Sequence, residues 1–429
     1  MIPDDRRPYS PMRIALLSLV VLAAGQAAAE DRGAIDVLAY DVSLTPDWPS
    51  RSVAGEETIR LRTRVAADEI QFSDNALEIL SARSDGRDLA VRRQDGRLIL
   101  ALPARAKAGR ELSVRLVFRG QPRRGLIFEP DLVYTSYFTC DWMVCDQDRP
   151  GDRAKLSLQV RLPGGGKVVQ GPPRGGPFPA YLYGFAAGRF EEARLPGPHR
   201  LRVLGAAAPG ELRRLFAPTE DMAAFFEAKA GVPLAPGYWQ LRSTAPEAQE
   251  GAGFAILGAS VLAPMLETPD EDWAIAHELA HQWWGALVTC ETWREMWLNE
   301  GFATFMTAAW KEHRWGRAAY DREMAIARRR LAASTAAGFD KPLIWSGAYP
   351  SLSVRRGVIY SKGALFLDAL RERLGDDLFW RAVRRYTRDH VGGTVTSADF
   401  ERAVEEAAPG QAGDLFRAWV DDNHVMTAN

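Results

Sequence analysis

At 429 residues the chain is longer than one hydrophobic core usually supports, so at least two domains are expected. Lys and Arg number 54 against 55 Asp and Glu, a formal net charge of -1, which gives no global electrostatic basis for binding nucleic acid or an anionic membrane. Three cysteines are too few for a disulfide framework.

The chain opens with a targeting pattern. Arg6, Arg7 and Arg13 precede the apolar run from Ile14 to Gly25, and Ala27, Ala28 and Ala29 supply small residues for cleavage. This predicts a signal peptide over residues 1–29, or one starting at Met12, and an exported protein, periplasmic or secreted. About twelve apolar residues are too few to span a bilayer comfortably, so no stable membrane anchor is expected after cleavage. Export permits one disulfide: Cys140 and Cys145 are near enough in sequence to pair across a turn, with a buried free thiol as the alternative.

From Asp36 to Glu192 short alternating runs are broken by turn residues: V-L-A-Y-D-V-S-L, E-E-T-I-R-L-R-T, R-L-I-L-A-L, L-S-V-R-L-V-F and K-L-S-L-Q-V-R-L. They predict an all-β, sandwich-like domain over residues 30–209. After the A-A-A-P-G break the apolar period lengthens to that of helices, predicting a mainly helical domain over residues 210–429. Helices are expected at 217–230, from Thr268, and at 300–315, 318–337, 362–374, 378–390 and 397–408. The fold class is thus multidomain α+β.

The chemistry is concentrated between Thr268 and Glu300. Thr268, Pro269 and Glu271 have the spacing of a capping box with Pro at the first helical position. On the helix they would open, His277 and His281 are four apart, so both project from one face and can grip one metal ion. Glu278 between them is placed to take a proton from a water on that ion. His199, His313, His390 and His424 have no ligand-like spacing and are expected at the surface.

H-E-L-A-H, then eighteen residues, then the Glu of W-L-N-E-G-F-A resembles the zinc aminopeptidases of the aminopeptidase N family. I-Y-S-K-G-A-L-F-L is similar to that family's Y-x-K-G-A segment, and C-D-Q-D-R-P-G-D-R-A-K-L-S-L-Q-V and P-A-Y-L-Y-G-F-A-A-G-R-F resemble parts of its β domain. The resemblance implies one Zn2+ per chain held by His277, His281 and Glu300, with Glu278 as general base and Tyr360 as oxyanion donor. It also implies a thermolysin-like catalytic domain with a small sheet, and peptide or protein substrates. Glu295, Asn299 and Thr304 are candidates to orient the ligands.

The family's G-x-M-E-N segment corresponds on this reading to Gly251, Ala252, Gly253, Phe254 and Ala255, placing Phe254 where the family has its amine-binding Glu. Glu247 or Glu250 is the alternative source of that charge. A second polar anchor falls around Thr135 to Tyr137. The chain stops soon after the segment resembling the end of the catalytic domain, which implies a short form without the family's C-terminal helical domain. The function expected is peptide hydrolysis, by aminopeptidase action in line with the family; the alternatives are an endopeptidase, a hydrolase of a non-peptide substrate, and a silent zinc-containing peptide-binding protein.

Overall fold

The structure, a computed structural model, describes residues 33–172, 176–246 and 248–421. The signal segment, Glu247 and His424 lie outside the described residues.

All five predicted strand runs form strands, because alternation puts every second side chain on the buried face. In Ile35–Asp47 the inward set is Ile35, Val37, Tyr40, Val42 and Leu44; the step from Val37 to Tyr40 breaks the alternation, and a bulge lies there, between Val37 and Ala39. This strand pairs with Ser52–Thr63 antiparallel and with Arg153–Val160 in parallel, inside a seven-stranded sheet. Three-stranded and four-stranded sheets complete the β half. Its core is built on Ile59, Leu61, Phe72, Leu98, Val114, Leu116 and Trp142. Cys140 and Cys145 are disulfide-bonded and Cys290 is a buried free thiol, which decides the pairing that sequence left open.

A five-stranded sheet then links the halves, in the order Glu191–Arg194, Arg202–Gly205, Trp239–Ser243, Phe254–Gly258, Ala248–Gly251. The expected changeover at residue 210 cuts through this sheet. Arg202–Gly205 pairs in parallel with Trp239–Ser243, so by hydrogen bonding the two strands before residue 210 belong with the second half.

The expected helices form, with unpredicted short ones at Pro209–Leu215 and Leu352–Arg356 and a correction at Thr268. Thr268 is not an N-cap; it ends an unpredicted helix, Ala259–Glu267, in which Pro264 masks the pattern. T-P-D-E is the turn between two helices, with Glu271 N–H donating to the Thr268 carbonyl. Helix α1 runs from Trp273 to Ala280, preceded by Asp272, whose carboxylate accepts from the indoles of Trp310 (2.8 Å) and Trp315 (3.3 Å). Helices α2 (Trp297–Trp315) and α3 (Arg317–Ala336) follow, then the short α4 (Leu352–Arg356), a π-helical stretch at Gly357–Lys362, and α5 (Gly363–Asp389), broken at Gly375. No helix among the described residues is long and apolar enough to cross a membrane.

Of the remaining histidines, His199 departs from the surface expectation. Its ring is clamped between Glu220 (2.7 Å) and Glu227 (3.2 Å), with the side chain 13% exposed. His313 stacks on Phe225 and His390 reaches the Tyr386 carbonyl.

Candidate metal centre

Helix α1 brings His277 and His281 to one face, and α2 brings Glu300 against them. The three donor atoms form a nearly equilateral triangle: His277 Nε2 to Glu300 Oε2 is 3.2 Å, His281 Nε2 to Glu300 Oε2 is 3.3 Å, and His277 Nε2 to His281 Nε2 is 3.2 Å. A tetrahedral zinc with ligands at about 2.0–2.1 Å requires donor separations of about 3.3 Å. The residues therefore fit zinc. His281 Nδ1 lies 3.0 Å from the Trp284 carbonyl and donates to it, which leaves Nε2 as the lone-pair nitrogen. Gly285 makes that turn possible: its φ is +144°, and a Cβ there would stand 3.0 Å from His281 Nδ1.

The partner of His281 is thus a main-chain carbonyl, not the side chains proposed for that task. Asn299 bonds instead to the Cys290 N–H (3.1 Å) and to the Tyr181 hydroxyl (3.1 Å), tying α2 to the β half, and Glu295 holds Ser397. No bond from the Thr304 side chain to either histidine is present.

Tyr360 reaches the same place because two helices touch. Gly301, one residue after Glu300, meets Gly363, three residues after Tyr360, so closely that a Cβ on Gly301 would lie 2.9 Å from Gly363 Cα. This contact lets the π-helical stretch lay the Tyr360 ring parallel to that of His277, with centroids 6.0 Å apart. Burial pushes the phenol well above its usual range, and Glu300 adds to this.

Charge in the site is unbalanced. Glu250 and Glu278 join His281 in a second group of converging donors, all within 4.8 Å of one another. Glu278 is 3% exposed, its Oε2 has no hydrogen-bond partner, and burial and then Glu250 push its carboxyl well up. Burial raises Glu250 to about 7 against the pull of His281. Burial works against ionised Glu300 too, but His281 and His277 outweigh it and hold the carboxyl well below the usual range. Three buried carboxyl groups share two imidazoles, a donor set short of a cation.

The structure corrects the reading of the segment before α1. Ala248–Gly251 and Phe254–Gly258 form a hairpin turning at Ala252 and Gly253. Gly251, Ala252 and Gly253 are held as scaffold: Gln282 on the chain after α1 donates to the Gly251 carbonyl and accepts from Gly253 N–H, each at 2.9 Å, and Ala252 N–H bonds to Leu182. Phe254 is fully buried and stacks on Trp239, centroids 4.7 Å apart. The residue at the centre is Glu250, one of the two alternatives, four positions earlier than Phe254. The tight turn A-G between E-A-Q-E-G and F-A-I-L was the available signal, since it marks a hairpin whose first strand carries the Glu. Tyr137, in the anticipated β-half segment, stands beside this strand and donates to the Ala248 carbonyl at 3.1 Å.

Residues 262–419 match the peptidase family M1 domain. The chain is 25% identical over 432 residues to "Probable aminopeptidase 1" of Saccharolobus solfataricus, covering 89% of this chain and 52% of that protein. It is 32% identical over 157 residues to aminopeptidase N of Streptomyces lividans, covering 34% of this chain and 18% of that one. The chain thus spans about half the length, or less, of these curated relatives. An M1 zinc metallopeptidase of Deinococcus radiodurans, solved as a mutant bound to a Tyr-Ser-Ala substrate, has the same fold, with a TM-score of 0.75 at 22% identity over 92% of this chain and 96% of that one. Residues 262–419 thus carry a peptidase family M1 domain whose donor triangle fits zinc, and the chain as a whole shares the fold of an M1 zinc metallopeptidase.

Proposed function

We propose that this chain is a zinc-dependent peptidase that removes residues from the free amino end of peptides. The observation that carries this reading is Glu250, buried on an edge strand and converging with Glu278 and His281. An ionised Glu250 is the natural acceptor for a substrate ammonium, and the outer edge of Ala248–Gly251 can pair with an extended peptide backbone.

His277, His281 and Glu300 would hold the zinc. When bound, zinc supplies a Lewis acid that polarises oxygen and eases deprotonation of water. Glu278, raised by burial, is a stronger base than an ordinary carboxylate; it takes the proton of the attacking water and returns it to the leaving amine. Tyr360 keeps its proton, because burial disfavours the phenolate, and so donates a hydrogen bond to the oxygen on which charge develops. Export is part of the same reading, supported by the arginine-led apolar N-terminus and the Cys140–Cys145 bond.

The test compares free and N-acetylated versions of the same peptides on the zinc-loaded protein. Strong preference for the free amine is expected. Equal cleavage of both would favour an endopeptidase, and retention of zinc without any cleavage would favour a peptide-binding protein.

A further inference from the structure

Three arginines border the centre without an ion pair among the described residues; only Arg355 is buried, and Glu323 acts at longer range on the exposed Arg330. Arg355 and Arg356 end α4, five and four residues before Tyr360, and the stretch between is π-helical. Where hydrogen bonds run from i to i+5, residues four and five apart fall on one side of the helix, so both arginines share the side of Tyr360. Arg330 comes from α3, which packs across this stretch: the Ser334 hydroxyl reaches the carbonyls of Arg330 (3.1 Å) and Val354 (3.5 Å).

Arg355 is 7% exposed, and its Nε has no hydrogen-bond partner. No side-chain hydrogen bond or ion pair engages any of the three arginines among the described residues. A buried guanidinium without an anion is costly to maintain, which points to an anion that arrives as ligand.

Their position is one-sided. Burial, Glu300 and Glu250 raise the Tyr360 phenol and Arg355 and Arg356 oppose them; Arg330 is among the groups that lower His277. The charges acting on Glu278 are instead Glu250, His281 and Glu300. Glu250 converges with Glu278 and His281, whereas Arg355 and Arg356 adjoin the stretch that carries Tyr360, whose ring lies parallel to that of His277 with centroids 6.0 Å apart.

We propose that Arg355, flanked by Arg356 and Arg330, forms a carboxylate-binding subsite on the leaving-group side of the cleft. The substrates it favours are short peptides whose carboxylate, C-terminal or on an acidic side chain just past the cut bond, reaches this subsite. The inference rests on the peptidase reading for the direction in which the peptide lies.

The experiment is calorimetry on the full, zinc-loaded chain carrying Glu278→Gln, so that binding is read without turnover. Leu-Gly-Gly is compared with its C-terminal amide, and Leu-Asp amide with Leu-Asn amide. At least one carboxylate-bearing member should bind about tenfold or more tightly than its neutral counterpart, as a charge-assisted bond gives. Preference in the first pair assigns the C-terminal carboxylate, and in the second the side chain. Adding Arg355→Ala should bring that ratio near one, and Arg355→Lys should keep part of it. Equal binding within both pairs overturns the proposal without any variant at Arg355, as does a full ratio surviving Arg355→Ala. If the native chain leaves Leu-Gly-Gly uncut while the preference stands, the peptidase reading fails and the carboxylate subsite does not.

Discussion

Two clusters of buried carboxylates, one in each half, are built on opposite terms. In the β half Asp146 is fully buried; burial pushes its carboxyl up, but Arg149 and Arg97 hold it below the usual range. Next to it Asp152 has Arg64 at 3.7 Å and Arg149 at 4.0 Å, which temper but do not cancel the burial that leaves its carboxyl raised to about 6. Around the metal centre Glu250 and Glu278 are equally buried, yet burial raises both; His281 is the one cationic group opposing it, with hydrogen bonds from Tyr137 and the main chain helping at Glu250. Paired with arginine, a buried acid fastens strands together. Without a cation of its own, it stays poised for one that binds.

The contrast breaks first at Glu278. Glu278→Gln should lower kcat by about 10²–10⁴-fold, the usual contribution of a general base, while zinc content by elemental analysis stays near one per chain. Loss of zinc instead would make Glu278 a ligand.

Asp146→Ala should do the reverse. Leaving Arg149 and Arg97 without their buried partner is expected to cost about 3–5 kcal/mol in urea unfolding, with the zinc stoichiometry of the folded protein unchanged. A loss of zinc in folded Asp146→Ala protein would show that the two clusters are one unit.

Glu250→Gln should weaken free-amine peptides by about 10–100-fold in kcat/KM and leave N-acetylated ones little changed, narrowing the discrimination between them. Equal loss for both kinds of peptide would move Glu250 from amine recognition to support of the centre.

The smallest effect concerns His199, a surface-side counterpart of the imidazoles at the centre. Burial lowers its ring, but Glu227 and Glu220 outweigh that and leave it raised. A raised histidine contributes stability that is fully present below its unfolded value of about 6.5 and is lost as pH rises through the folded one. His199→Gln should therefore destabilise the protein near pH 5.5 by at most about 1 kcal/mol, discounted for partial solvent screening, and by less at pH 9. Equal destabilisation at both pH values would mean that packing, not charge, holds this ring.

The strands and most helices were legible because their information is local: alternation and helical periodicity are written residue by residue, and His277, Glu278 and His281 lie on one helix whose covalent spacing fixes their geometry. Glu300 and Tyr360 could be named only through motif resemblance, since nothing local says that Gly301 and Gly363 bring their helices into contact. Where motif and fold disagreed, at Phe254 and at Thr268, the decisive facts were a hairpin turn at Ala252–Gly253 and a helix that contains Pro264. The sequence alone thus placed His277, Glu278 and His281 on one helix as candidate metal-binding and proton-transferring groups. Only the tertiary structure decided which buried acids receive arginines and which are left without them, because electrostatic pairing depends on distances between segments that the chain brings together only by packing.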